Sequence, residues 1–309
     1  MIPSTPNTNI PFKNILLATD FSPASDNALA YAVGIARIHD GKLLLAHAIA
    51  PEARGPIPLD PLPRSLDLDL QEAEGHMRQL ARKKLLEHIA HEDVIERGPT
   101  SEVILDLIAR NNVDLLVLGT HGRGGLKKLL LGSVAEELFR LATCPVLAVG
   151  PEAMVPFSAE LKTRRVLFAT DFSPASLSAL PYATSIARES TAQLVLLHVL
   201  SLAPLAGQAS FWPLAPDVIE WLDKTRLGDL EQLRKLISPE ENLPHNPDFL
   251  ATFGFVPEEI VKTAGTIEAS VIVMGVNASS TARAAAHLYW STAHHVVCEA
   301  MCPVLTVRG

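Results

Sequence analysis

The sequence predicts two tandem α/β domains, each a doubly wound sheet of parallel strands with helices on both faces. Three observations carry this prediction: the chain repeats itself, each copy alternates apolar strands with amphipathic helices, and a glycine-rich stretch follows the fourth strand of the first copy. The repeat is read first. Ala18 to Ser25 spells ATDFSPAS, and Ala169 to Ser176 spells the same eight letters. Matches then follow in order: LLLAHAI ending at Ile49 with LVLLHVL ending at Leu200, VDLLVLG at 113–119 with SVIVMG at 270–275, and TCPVLAV at 143–149 with MCPVLTV at 301–307. Segments that agree in order and nearly in spacing mark a duplicated unit. The expected domains are residues 1–150 and 164–309. The join, residues 151–163, lies in GPEAMVPFSAELKT, which has two prolines and little periodicity.

In the first copy the apolar runs predict strands over Asn14–Thr19, Lys42–Ala48, Val94–Arg97, Leu115–Gly119 and Val146–Val149. Helical periodicity predicts Pro23–His39, Leu68–Ala90, Ser101–Arg110 and Ser133–Leu141. Ser22-Pro23 and Ser173-Pro174 each pair a capping serine with a first-turn proline. Ser133 and Glu136 have the spacing of a capping box, which predicts the start of the fourth helix. Strands alternating with helices imply five parallel strands, right-handed crossovers and two covered faces. In such a sheet ligands bind at the carboxyl ends of the strands, beside the point where strand order reverses. Asp20, Ala48 and Gly119 end the first, second and fourth strands, so all three are expected to line one crevice.

The composition fits two globular cores. The chain has 309 residues, 48% apolar and 19% charged, and a formal net charge of −8. That charge weighs against a nucleic-acid or anionic-membrane partner, although the basic stretch from Arg123 to Lys128 can still meet phosphate. No apolar run approaches the length of a membrane span, and MIPSTPNTNIPFK lacks the basic-then-apolar order of a signal peptide. The expectation is a cytoplasmic protein. Cys144, Cys298 and Cys302 are too few and too oddly numbered for a disulfide framework.

The stretch LLVLGTHGRGGLKKLLLGSV, Leu115 to Val134, holds the parts of an anion cradle. Glycines let amides approach a ligand, and a helix start offers unpaired N–H donors with partial positive charge. No Gly-Lys-Ser/Thr follows, so it is not a Walker loop, and G-x-G-x-x-G is absent. The pattern Gly119-x2-Gly122-x9-Gly132-Ser133 resembles the ATP-binding branch of the universal stress protein family. Thr19-Asp20, His47-Ala48, the SEVILDLIA helix and the Cys-Pro before the last strand support that resemblance, which covers essentially the whole chain.

The resemblance implies an adenine nucleotide alpha hydrolase-like fold in each copy and bound ATP, with Mg2+ accompanying the triphosphate. It implies that Asp20 holds the ribose, the Ala48 backbone meets adenine, and Gly119, Gly122, Gly132, Ser133 and Val134 surround the phosphates. Thr19, Leu118 and Arg123 complete the expected site. The chemistry of these positions agrees, since a carboxylate suits ribose hydroxyls and amides with a serine hydroxyl suit phosphate oxygens. The second copy departs from the pattern: Val276 to Arg308 contains no glycine, Ala278 and Trp290 stand where glycines are expected, and His294 takes the capping-box position after Ser291. Asp171 is retained. Nucleotide is therefore expected in the first domain, and weak, altered or absent binding in the second.

Other polar residues have plainer readings. His47 and His198 are expected as packed or hydrogen-bonded histidines at strand ends. His294 and Cys298, with His287 and His295 nearby, lack the three or four ligands of a metal site. Lys127 and Lys128 are expected to be solvated, and Glu87 to Glu96, with His88 and His91, to be a solvated helix end. Asp223, Lys224, Arg226, Asp229 and Glu231 read as the polar face of a helix with Trp221 and Leu222 toward the core. Proline before Val146–Val149 and before Val304–Val307 fits edge strands, and an apolar edge needs cover. The two domains are expected to pair through these strands, and a homodimer of the chain is compatible with the sequence.

Three functions compete. The first is an ATP-binding stress or signalling module acting through conformation or partner binding. The second is a slow ATP hydrolase or adenylate-transferring enzyme, against which stand the lack of a placed general base and SPAS where a pyrophosphate loop would follow the first strand. The third is a dimerisation scaffold that binds no nucleotide.

Overall fold

The computed structural model describes residues 10–51, 66–120, 131–151, 153, 164–201, 216–277 and 292–309. Two compact units divide at residue 157, with Ile10 grouping with the second.

The first unit contains β1 (Asn14–Ala18), α1 (Pro23–His39), β2 (Lys42–Ile49), α2 (Leu66–Ala81), β3 (His91–Arg97), α3 (Thr100–Arg110), β4 (Leu115–Gly119), α4 (Ser133–Leu141) and β5 (Val146–Val149). Its strands lie in the order β3-β2-β1-β4-β5, and every adjacent pair is parallel. The order reverses at β1, which pairs with β2 on one side and β4 on the other. Ile15, Leu16, Leu17, Leu43, Leu45, Leu115 and Leu116 are essentially fully buried in this sheet. Each such side chain contributes roughly 1.5–3 kcal/mol of transfer free energy. Helix α1 buries its small residues Ala28, Ala32 and Ala36 with Leu29 and Val33, which brings its axis close to the sheet.

The second unit contains β6 (Arg165–Ala169), α5 (Pro174–Leu177), α6 (Leu180–Glu189), β7 (Gln193–Ser201), α7 (Pro216–Leu236), β8 (Asp248–Gly254), α8 (Val256–Thr266), β9 (Val271–Val276), a helix over 292–299 and β10 (Val304–Arg308). The strands repeat the topology as β8-β7-β6-β9-β10, all parallel. The doubly wound α/β expectation therefore holds in both copies. The helix that matches α1 is split in two here, because Pro181 cannot donate an amide to a continuous helix.

The structure corrects several expectations about the elements. The second helix ends at Ala81, not Ala90: Lys83 turns to extended backbone, a short 3-10 turn over Lys84–Leu86 follows, and Leu86 is thereby buried. Glu92 and Asp93, expected in a solvated helix end, lie instead in β3, which starts at His91 and not at Val94. Trp221 is 55% exposed and does not enter the core. The inward line of α7 runs through Leu222, Thr225, Asp229 and Leu233, at helical spacing, and Trp221 falls one residue off it. Asp229 accordingly leaves the polar face assigned to it. Its Oδ2 is buried without a hydrogen-bond partner among the described residues, and burial raises its pKa against the opposing pull of His198.

Candidate functional site

The repeated ATDFSPAS segment makes a compact turn in each copy. Phe21 and Phe172 adopt left-handed backbone, with φ of 59° and 64°. That conformation is costly for a bulky residue and persists where neighbours hold it. Phe21 N donates to Thr19 Oγ1 at 3.0 Å, Ser22 N donates to Asp20 Oδ1 at 3.0 Å, and Ser25 N donates to Ser22 Oγ at 3.3 Å. Thr19 Oγ1 also donates to Ser25 Oγ at 3.1 Å, closing the turn. His47 supports it from β2: Nδ1 donates to the Thr19 carbonyl at 2.8 Å, and the ring lies 4.5 Å from that of Phe21. The second copy repeats this network with Thr170, Asp171, Phe172, Ser173, Ser176 and His198. Phe21 and Phe172 were not among the sequence candidates, although the identical segment in both copies was the signal that could have found them.

Beyond this turn lies a cavity of about 260 Å³ at the carboxyl ends of β1, β2 and β4. Thr19, Asp20, Ala48, Leu118, Gly119, Gly132, Ser133 and Val134 all line it. Gly122 and Arg123 lie outside the described residues, as do Lys127 and Lys128. His47, Thr120, Ala46, Thr100 and Ile104 also line the cavity and were not among the nucleotide-site candidates.

The two described glycines of the motif have different physical reasons. A Cβ on Gly119 would sit 2.9 Å from the Ala24 carbonyl carbon and 3.0 Å from its oxygen, so this glycine lets β4 pass the first turn of α1. A Cβ on Gly132 would meet nothing nearer than the Thr120 carbonyl at 4.0 Å. Packing among the described residues thus does not demand a glycine there.

Gly132, not Ser133, is the N-cap of α4, which corrects the capping-box expectation. Ser133 already has helical backbone as the first residue of the helix, so its hydroxyl is not in the position that caps later amides. No side chain caps α4, in contrast to α1, whose start is capped by Ser22. Gly132, Ser133 and Val134 are exposed and line the cavity, so the helix start offers amides and a hydroxyl to an anion.

The second unit has a cavity of about 190 Å³ in the corresponding place, lined by Thr170, Asp171, Ser173, Ser176, Leu197, Val199 and their neighbours. Burial pushes the Asp171 carboxyl up, but hydrogen bonds from Ser173 and Ser176 outweigh it and hold its pKa below the ordinary value. Ala278, His287, Trp290 and Ser291 lie outside the described residues. Cys298 Sγ lies 3.9 Å from His294 Nε2, and His295 pairs with Glu299 at 3.0 Å. Among the described residues no three metal-ligating side chains gather, and no helix is long and apolar enough to cross a membrane.

The sequence pattern described as "Universal stress protein family" matches residues 11–150 and again 162–308. The chain belongs to the universal stress protein family. Among its family relatives, a universal stress protein of Methanocaldococcus jannaschii is 34% identical over 143 residues, covering 45% of this chain and 82% of that protein. Universal stress protein A homolog 1 of Coxiella burnetii is 35% identical over 147 residues, covering 45% of this chain and 96% of the relative. Each alignment thus accounts for about one copy of the repeat. A universal stress protein of Archaeoglobus fulgidus, known from its crystal structure, covers 97% of this chain and 99% of its own, with a TM-score of 0.69 at 21% identity. That likeness extends the fold of this family over both copies.

Proposed function

We propose that this universal stress protein binds ATP with Mg2+ in its first domain and acts through nucleotide-dependent conformation or partner binding. The observation that carries the reading is the convergence of Asp20, Ala48, Gly119, Gly132, Ser133 and Val134 on one cavity beside the reversal of strand order. In this reading the Asp20 carboxylate accepts hydrogen bonds from the ribose, and the Ala48 backbone faces the base. The start of α4 receives the phosphates, whose charge complements the helix terminus. Gly122 and Arg123 contribute from the connecting segment, the first by close backbone approach and the second by its guanidinium. Bound Mg2+ supplies neutralising charge to the triphosphate.

Residues 1–150 form the nucleotide domain in this proposal, residues 164–309 the altered domain, and 151–163 the linker. The last strands, Val146–Val149 (VLAV) and Val304–Val307 (VLTV), supply a pairing surface between the two, and the assembled protein works in the cytoplasm.

Calorimetric titration of the whole chain with ATP and Mg2+ tests the reading, with stoichiometry as the first result. One site per chain is expected. Asp20→Ala should weaken binding at least ten-fold, and Gly122→Val should abolish it by filling the phosphate approach. Undiminished binding in both variants would remove the proposed site. Steady release of ADP by the purified protein would favour the hydrolase reading, and absence of any binding the scaffold.

A further inference from the structure

Each unit ends its strand order in an edge strand of the same rank, β3 in the first and β8 in the second, and the two edges differ in chemistry. Strand β3 reads HEDVIER, and His91, Glu92, Asp93, Glu96 and Arg97 make most of it titratable. Lys42 Nζ bonds Glu92 Oε2, and Arg110 Nη2 donates to Glu96 Oε1 at 2.8 Å. Charges of this kind keep an edge from recruiting another strand. Strand β8 reads DFLATFG and has a single charge, Asp248 at its start, whose carboxylate already accepts from Gln193 Nε2 at 2.9 Å. It pairs with β7 on one side, and among the described residues no backbone hydrogen bond reaches its other side. No proline interrupts it, so its outer side presents a regular row of N–H and C=O groups.

We propose that β8 is a docking edge for a second copy of this chain, the two β8 strands pairing antiparallel about a two-fold axis through Ala251. Phe249 then stands opposite Phe253 of the second copy, Leu250 opposite Thr252, and Asp248 opposite Gly254. The phenylalanines meet as cross-strand pairs, and the two Asp248 carboxylates stay apart. Phe249, Ala251 and Phe253 share one face of the strand. Arg234 of α7 already lies over the Phe249 ring, 5.9 Å from its centroid. On the other face Leu250 is 37% exposed, and pairing covers it. Just past the strand Phe255 is 56% exposed, and the same register brings it beside Pro247 of the second copy.

The same operation on β3, about Val94, sets Glu92 against Glu96 of the second copy on both sides of the axis and takes exposed charges out of water. One edge thus refuses a copy of itself and the other accepts one. An extended segment of another protein would add to β8 by the same backbone bonds. What favours β8 itself as the occupant is the placement of Phe249 and Phe253 at equal distances from Ala251, a self-complementary pattern of the kind a two-fold interface requires. The proposal is independent of the nucleotide reading.

Sedimentation equilibrium of the full-length protein should give a dimer. In Leu250→Lys/Thr252→Lys, ammonium groups face each other across the axis, and the dimer should weaken at least ten-fold. Mixing that variant with Leu250→Glu/Thr252→Glu should restore a dimer holding one chain of each, read by native mass spectrometry. Association through any other surface would not answer to this charge swap. Ala251→Cys sets two thiols opposite each other on the axis, at a backbone separation that suits a disulfide. On oxidation it should give a covalent dimer on a non-reducing gel, in excess of the wild-type background from Cys144, Cys298 and Cys302. A wild type that stays monomeric at high concentration would leave β8 to a segment of another protein and overturn the proposal. So would a folded lysine variant as dimeric as the wild type, or a mixed pair that fails to form. Should the lysine variant not fold, the cross-link decides, and a dimer that Ala251→Cys does not trap would refute the axis.

Discussion

Gly119 and Gly275 show why a residue's role needs three dimensions even when its position is legible in one. In the sequence Gly119 reads as the start of a phosphate loop, yet its lack of a side chain is enforced by Ala24 of α1. At Gly275 the clash would be worse, with a Cβ placed 1.9 Å from the Ala175 carbonyl oxygen and 2.5 Å from the Ser176 Cα. Gly119→Ala should therefore cost about 1–3 kcal/mol, and Gly275→Ala at least as much, measured by urea denaturation. Full stability in Gly275→Ala would contradict the packing assigned to β9. The cysteines supply a second residue-scale expectation. Burial pushes the Cys144 thiol from 9.0 up to about 11 and the Cys302 thiol up to about 12. An unfolded thiol releases its proton near pH 9, while the folded protein keeps Cys144 protonated to about pH 11. Stability is thus fully present below about pH 9 and declines as pH rises toward 11, by on the order of 2–3 kcal/mol for Cys144. Denaturation midpoints at pH 8 and pH 10.5 should differ in that sense, and Cys144→Ala should reduce the difference and leave the share due to Cys302.

At the scale of elements, those with strong periodicity were legible and those with mixed surfaces were not. Helix α1, strand β4, helix α4 and strand β5 fall on the residues expected of them, because each has a clear apolar face and a punctuating Pro, Gly or Ser. Strand β3 begins with His91, Glu92 and Asp93, all exposed at the edge of the sheet, so no alternation marks it. Helix α7 misled for a related reason: Trp221 is apolar yet exposed, and Asp229 is charged yet turned inward. The site was legible as a set of strand ends, since the topology rule alone gathers Asp20, Ala48 and Gly119. It was less legible at α4, where Gly132 takes the cap that Ser133 was expected to provide. The true serine cap is on α1. Ser22→Ala should remove the acceptor for the Ser25 amide and cost about 1 kcal/mol in thermal or urea unfolding, whereas Ser133→Ala should leave stability within about 0.5 kcal/mol. An equal loss in both variants would argue against the capping difference.

For the whole molecule, duplication sets the expectation. Each unit has five successively paired parallel strands and its own buried core, which are the requirements for folding alone. Within the first unit, β5 pairs on one side with β4 and forms the end of the strand order. Its residues Val146, Leu147, Ala148 and Val149 are all apolar, and none of them carries a charge. An apolar edge of this kind recruits another strand. The segment Pro11–Phe157, produced alone, should therefore fold and associate with a second copy of itself through β5, giving a dimer by sedimentation equilibrium. Leu147→Lys in that segment should shift it toward monomer by placing a charge beside the partner strand. A wild-type segment that stays monomeric at high concentration while folded would mean that β5 is not an interaction edge, and would remove the basis for proposing that the two domains join through their last strands.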